Sequence, residues 1–521
     1  MAASSDLDQL PTDDVPWYKR RYLLRLNFVI LSLMMFSSTG GYDGSIMGNL
    51  LALKTWYGFM GQPTGAYLGW INACYILASG VAFPIGAWMT ERFGRKSPIY
   101  CGYLLLVPGA VMQTTAQSEK VYTYSRILLG MGGAFFMVAT PLLINEIALP
   151  KHRSIASALY MCGYYVGGTL ASWVVYGTRV MDDSWSWRIP TVLQLVCPLL
   201  ALPGFILCHE SPRWLVSVGR SNDARYILAV CHAGGDTGAP LVEYQMVEIE
   251  TAIAAEKEIT ASASYADMVK SPGNRHRLFI TVTLGIFSQW AGNGVVSYYL
   301  PLMLNTVGIT ATSHQTLISA CLNVWNLLFA LGASLNVDRL GRRFLFLASA
   351  TTMLLSFVVI TGLSGSFANT LSPSVGTAVI PFIFIFFAGY DIALTPFLSA
   401  YPCEIWQFSL RSRGLTVGWI SAFCALFFNI FVNAIALDAI GWKYYFVFVA
   451  VLALMLGTVY VAYPETRGHT LEQMAVVFDK NAAGLLPPEV VLEKAEALHR
   501  DSIAATSKTD GNLTTKVEVV A

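Results

Sequence analysis

Twelve stretches of about twenty mostly apolar residues recur along this chain, and that count constrains its fold more than any other feature. Each is long enough to cross a bilayer as a helix. Their expected limits are 24–47, 66–89, 97–116, 121–145, 155–178, 189–208, 278–305, 315–336, 344–365, 375–400, 413–437 and 443–463. In hydrocarbon, only helices and closed barrels satisfy every backbone N–H and C=O. The expected class is therefore an all-α membrane protein with twelve transmembrane helices. Composition agrees, since 55% of the 521 residues are hydrophobic and only 12% are charged. Soluble domains carry about 25% charged residues.

The same numbers exclude other classes. Lys plus Arg total 33 and Asp plus Glu 32, which leaves no basic surface for nucleic acid. The nine cysteines form no Cys-x-x-Cys pair and read as small buried apolar residues, not as a metal site or disulfide framework. There is no GxxxxGK[ST] loop, no HExxH and no GxSxG. An ATP-driven pump and an enzyme therefore have no supporting motif, and no cofactor or metal is expected.

Loop charge sets the orientation. With the N-terminus in the cytosol, the inner flanks and short inner loops hold fourteen Lys and Arg, and the outer loops hold five. Excess positive charge marks the cytosolic side, so both termini are expected there. The first span follows a polar, acidic leader and is not read as a cleaved signal peptide. The expected organisation is a cytosolic segment 1–23, six spans over 24–208, a polar middle loop 209–277, six spans over 278–463 and a cytosolic tail 464–521. Within the middle loop, about 240–259 has the pattern of a solvated or amphipathic helix.

The two sets of six spans echo each other. Glu91-Arg92-Phe93-Gly94-Arg95-Lys96 follows span 2, and Asp338-Arg339-Leu340-Gly341-Arg342-Arg343 follows span 8, with Arg92 and Arg339 247 positions apart. Glu146 precedes Arg153 at the end of span 4 as Glu404 precedes Arg411 at the end of span 10, the two glutamates 258 apart. Glu210 leaves span 6 and Glu465 leaves span 12, 255 apart. Three motifs in one order at nearly one spacing imply a duplicated six-span unit, the construction of secondary transporters.

On these motifs the chain resembles the sugar porter family of the major facilitator superfamily. Tyr124-Ser125-Arg126 with Gly130 and Gly132, Ser186-Trp187-Arg188-Ile189-Pro190, Glu210-Ser211-Pro212-Arg213 and Pro464-Glu465-Thr466-Arg467-Gly468 carry the resemblance, over about residues 24–475. Gln289-Trp290-Ala291-Gly292-Asn293-Gly294 and Gly441-Trp442-Lys443-Tyr444-Tyr445 further resemble the fungal lactose and cellodextrin permease branch. The resemblance implies two six-helix bundles related by a pseudo-twofold axis, acting by alternating access in the plasma membrane.

Asp43, in Gly40-Gly41-Tyr42-Asp43-Gly44, is an acid inside the first span. Intramembrane charge is rare and usually functional. Asp43 either bonds backbone freed by the glycines or titrates against Arg126 of span 4. The resemblance favours the second, because proton-coupled porters carry Asp here and passive facilitators a neutral residue. Asp391 in span 10 is a second intramembrane acid whose role stays open between ion pairing, backbone bonding and titration.

Sugar hydroxyls call for amides and hydroxyls, and sugar CH faces for aromatic rings. Gln289, Trp290, Asn293, Tyr298, Asn326 and Tyr401 are the candidate substrate residues, with Asn323, Asn429 and Asn433 equally able to join helix to helix. At the cytosolic face the resemblance implies a gate of ion pairs across the halves, drawn from Arg92, Glu146, Arg153, Asp338, Arg339, Arg342, Glu404 and Arg411. The span 5 glutamine of hexose porters aligns with Met161, and the span 10 tryptophan with Ser399. These departures point to a larger ligand. The expected function is proton symport of a disaccharide such as lactose or cellobiose, by a monomer in the bilayer. The alternatives are a monosaccharide or polyol porter, a sugar sensor and a metabolite exporter.

Overall fold

The computed structural model describes residues 19–262, 264–336, 341–466 and 478. Twelve long helices cross the described core. They are α1 Arg21–Leu50, α2 Gly65–Phe93, α3 Lys96–Thr114, α4 Glu119–Ile147, α5 Arg153–Thr178 and α6 Trp185–Leu207, then α7 (Pro272–Trp290 and Asn293–Asn305), α8 Thr312–Asn336, α9 Arg342–Thr370, α10 Val379–Ile405, α11 Phe408–Ile440 and α12 Tyr445–Ala462. Nine of them, all but α3, α5 and α7, lie in stretches long and apolar enough to cross a membrane. The chain is a multi-pass membrane protein.

Two helices are interrupted, for local reasons. The α6 helix breaks at Gln194 and Leu195, between Pro190 and Pro198. The α7 helix breaks at Gly292, whose φ of +106° few residues but glycine adopt. A Cβ there would also lie 2.5 Å from the Phe357 ring. The second half of α7 bends again at Tyr299, just before Pro301.

Packing repeats the sequence duplication. The α1 helix packs on α5 as α7 packs on α11, α3 on α4 as α9 on α10, and α2 on α4 as α8 on α10. Two large apolar clusters fill the bundle, one mostly within the first half and one that joins the second half to the end of the first. In the first, Phe36 of α1 meets Phe136 of α4 with ring centroids 4.5 Å apart. In the second, Phe357 of α9 meets Phe386 of α10 at 4.8 Å. The halves touch along α2 with α11, α5 with α8, and α1 with the second part of α7. The first two pairs are exchanged by the same twofold operation.

The middle segment forms short helices, Pro212–Ser217, Ser221–His232 and Pro240–Ser262, with a small core of Leu215, Ala224, Leu228, Val242 and Met246. It docks on the end of α4. The buried His232 ring bonds Gln245 at 2.7 Å and the Ile147 carbonyl at 3.0 Å. The repeated Arg-rich loops lie at this same end of the bundle.

Candidate functional site

A pocket of about 300 Å³ lies between the halves. From the first half come Gly44, Ser45 and Asn49 of α1 and Tyr164 and Tyr165 of α5. From the second come Gln289, Asn293 and Tyr298 of α7, Asn323 and Asn326 of α8, and Tyr390 and Thr395 of α10. Amides, hydroxyls and ring faces converge, and among the described residues no charged side chain lines the pocket. The break at Gly292 brings Gln289 and Asn293 to one wall from two helix segments. Asn293 donates to the Tyr390 hydroxyl at 3.2 Å, and Tyr390 donates to the Ser288 carbonyl at 2.9 Å. That leaves the Asn293 Oδ1 buried without a donor, and Asn326 Oδ1 is in the same condition. A buried acceptor left unpaired costs about 1–3 kcal/mol. A ligand that brings hydroxyls to these two oxygens recovers that cost.

Other candidates lie elsewhere. Trp290 points away from the pocket, its Nε1 donating to the Ala425 carbonyl at 3.0 Å and its ring tilted on Phe428. Tyr401 stacks on Tyr463 with centroids 5.7 Å apart and donates to the Pro464 carbonyl at 2.7 Å. Asn429 donates to the Gln289 carbonyl, and Asn433 accepts from Tyr444 at 2.9 Å, so both join helix to helix. Met161 is 53% exposed. The aromatic pair Tyr164 and Tyr165, three and four residues further along α5, takes the pocket wall instead.

The pocket leads in one direction. It shares Gly44, Tyr164, Gln289 and Tyr298 with a second compartment of about 150 Å³ that also touches Tyr75 and Arg126. That compartment shares Ile76, Trp419 and Phe423 with a cleft of about 1320 Å³ between α2 and α11. The cleft reaches Arg213, Arg411 and Arg413 at the Arg-rich face. Towards the opposite face the halves meet backbone to backbone. A Cβ on Gly48 would lie 2.5 Å from the Ser297 carbonyl oxygen, and one on Gly69 2.7 Å from that of Phe431. Asn72 donates to Tyr299 at 3.2 Å, Tyr299 to the Ile430 carbonyl at 2.7 Å, and Asn323 to Ser172 at 2.9 Å. The cavity is sealed on one side and open on the other.

Arg126 lines the second compartment, and Asp43 lies on α1 between Gly40 and Gly44, which also line it. Asp43 and Arg126 are both buried, at 1% and 3% exposure. They are close enough to interact electrostatically, yet no hydrogen bond joins them, and both Asp43 oxygens are unpartnered. The Arg126 guanidinium lies over the Tyr75 ring instead, 4.7 Å from its centroid, a favourable seat for a cation.

At the Arg-rich face the three repeated motifs converge into one node per half. In the first, Arg95 grips Glu146 with two bonds, 2.9 and 2.8 Å, while Glu210 accepts from the backbone N–H of Arg95 at 2.9 Å and of Lys96 at 3.3 Å. In the second, Arg342 holds Glu404 at 3.2 Å, and Glu465 accepts from the N–H of Arg342 at 2.8 Å and of Arg343 at 3.1 Å. A carboxylate thus caps the start of α3 and of α9, where unpaired N–H groups and the helix dipole favour it. These pairs run within each half, whereas the motif resemblance implies pairing across the halves. The partner of Glu146 is Arg95; Arg92 is exposed. Arg153 approaches Glu248 of the middle segment at 3.8 Å, and Arg411 borders the cleft. Asp338 and Arg339 lie outside the described residues.

Two duplicated bundles around a polar cavity that reaches one face define a membrane transporter, not an enzyme. The chain belongs to the sugar (and other) transporter family of the major facilitator superfamily, whose model matches residues 29–478. It is 28% identical over 456 residues to the MFS-type transporter oryC of Aspergillus oryzae, covering 85% of this chain and 83% of that one. To the sugar transporter STL1 of Saccharomyces cerevisiae it is 26% identical, covering 87% and 81%. Its fold matches the inward-open xylose transporter XylE of E. coli with a TM-score of 0.72 at 21% identity, over 87% of this chain and all of that one.

Proposed function

We propose that this protein is a plasma-membrane symporter that couples the entry of a neutral sugar to the entry of a proton, with the Arg-rich face and both termini in the cytosol. The observation that carries the proposal is the buried, unpartnered Asp43 in electrostatic reach of Arg126, whose side chain lines the compartment between the pocket and the cleft. An ionised carboxylate so placed is costly, and a proton on it removes the charge. In this reading Asp43 loads a proton while the outer side is open, and Arg126, released from it, rests on Tyr75. The halves then close over the sugar at the outer side through Gly48, Gly69 and Asn323. They part at the inner side along α2 and α11, and sugar and proton leave through the cleft. With about 100 mV and one pH unit, one proton supplies roughly 2.3 plus 1.4 kcal/mol, enough for several-hundred-fold accumulation. The arginine excess on the proposed cytosolic face supports the orientation. The same-fold xylose transporter has been solved as a proton:xylose symporter, in keeping with the coupling.

The pocket favours a single sugar ring. Its volume of about 300 Å³ is at the lower end for small-molecule sites. A two-ring sugar such as lactose or cellobiose is the second reading, favoured by the adjoining compartment of about 150 Å³ and by the absence of a tryptophan at Ser399. The test is uptake of glucose, xylose, lactose and cellobiose by a yeast lacking its own sugar transporters and expressing this chain, with and without a protonophore. Saturable, protonophore-sensitive entry is expected, of the hexose or pentose if one ring fits and of the disaccharide if both compartments are used. Entry that ignores the protonophore refutes the coupling.

A further inference from the structure

Asp391 is buried at the middle of α10, with 0% exposure. The mechanism above makes no use of it. Its Oδ1 accepts from the Tyr165 hydroxyl at 2.6 Å and from Thr395 Oγ1 at 2.8 Å. Its Oδ2 is buried with no partner. Tyr165 stands on α5 and Asp391 on α10, so the shorter bond crosses between the two halves. Tyr165, Tyr390 and Thr395 also line the central pocket, which places the carboxyl directly behind the pocket wall.

The surroundings supply donors to one oxygen and nothing to the other. The titratable groups that face Asp391 are Tyr165 from α5 and Tyr390 from its own helix. Among the described residues, α7, α8, α9 and α11 all pack on α10, and no charged side chain from them acts on Asp391. A structural aspartate would be expected to spend both oxygens on N–H or O–H donors or on a cation. Here one oxygen is satisfied and the other is buried without a donor, which a proton of its own would relieve.

We propose that Asp391 is a second proton-binding site, carried by the C-terminal half and held across the interface by Tyr165. The covalent change is one O–H bond, formed at Oδ2 and broken on release, with the proton taken from and returned to water in the cavity. Tyr165 bonds Oδ1 only while α5 and α10 are together at this level. Parting the halves there removes a donor from the carboxyl, so proton occupancy and conformation are linked. The use of this site in transport rests on the symport reading; the site itself does not.

Infrared difference spectroscopy tests it without any sugar. The full chain in lipid vesicles is stepped between alkaline and acid pH as wild type, Asp43→Asn, Asp43→Asn/Asp391→Asn and Asp43→Asn/Tyr165→Phe. Asp43→Asn is expected to keep a protonated-carboxyl C=O band that the Asp391→Asn double variant loses. Tyr165→Phe should move that band to higher frequency, because a hydrogen bond to the carbonyl is gone, and this variant decides the matter if the double variant does not fold. Spectra of Asp43→Asn and the double variant that superimpose at every pH, or a band that Tyr165→Phe leaves in place, overturn the proposal. Accumulation by Asp43→Asn would refute the coupling reading and leave this result untouched.

Discussion

Gly69→Ala tests whether the described state is one of two. A Cβ on Gly69 would stand 2.7 Å from the Phe431 carbonyl oxygen and 3.4 Å from its carbonyl carbon. The first distance is well inside contact, and the obstacle is backbone, which cannot turn aside. Overpacking of this kind costs about 1–3 kcal/mol. The cost falls only on the state in which α2 and α11 touch here, so the balance moves toward the state with that side parted by about 5-fold to 150-fold. Cys424 of α11 reports the change, because it lines the cleft between α2 and α11 and is exposed. Cys321 is the other exposed cysteine among those described, so Cys321→Ser provides the background. A water-soluble maleimide applied from the Arg-rich side should label Cys424 more slowly in Gly69→Ala, by up to the same factor. A Cβ on Gly80, on the same helix and lining the same cleft, would meet no atom within 4 Å, so Gly80→Ala should label as wild type. A folded Gly69→Ala protein that labels at the wild-type rate would refute the two-state reasoning.

Three further outcomes follow from the site. Asn326→Ala removes one of the two unpaired acceptors and should raise KM for the transported sugar about 2-fold to 10-fold, the worth of one hydrogen bond, read from concentration-dependent uptake. Tyr401→Phe should leave KM unchanged, because its hydroxyl serves the Pro464 carbonyl outside the pocket; a raised KM would return Tyr401 to the site. Burial holds His232 below its ordinary value of 6.5. A base so lowered stabilises docking above 6.5, and that contribution is lost as pH falls below it. Amide protection in 240–262, taken relative to the intrinsic exchange rate at each pH, should therefore fall below about pH 6 in wild type and lose this pH dependence in His232→Gln.

The duplicated architecture was legible because its signals are long. Twenty-residue apolar runs and motifs repeating at offsets near 250 survive errors of a few residues. The largest boundary difference is at α7, which starts six residues before the apolar stretch, because Pro272 to Arg277 begin the helix ahead of the apolar run. Asp43 was legible because an acid stands out in an apolar span. Side-chain direction was not. Gln289 and Trp290 are neighbours on one helix turn, about 100° apart, so the pocket takes the first and packing against α11 the second. The break at Gly292 then restores Asn293 to the pocket, which no regular period anticipates. Tyr164 and Tyr165 sit in an apolar run where aromatics normally mean core, and only Tyr298 beside the first and Asp391 beside the second give them a polar role. Arg92 and Arg95 are equivalent in the motif, but Gly94, at φ +92°, turns the chain so that only Arg95 meets Glu146.

The coupling can be put to one decisive measurement. Vesicles containing the purified chain, with the sugar found in the uptake screen, are given an inward proton gradient and followed for accumulation, and separately for counterflow exchange with no gradient. Asp43→Asn is predicted to abolish accumulation while exchange continues, since the bundles can still rock but carry no proton. Accumulation by Asp43→Asn equal to wild type would contradict the account, whatever its effect on rate.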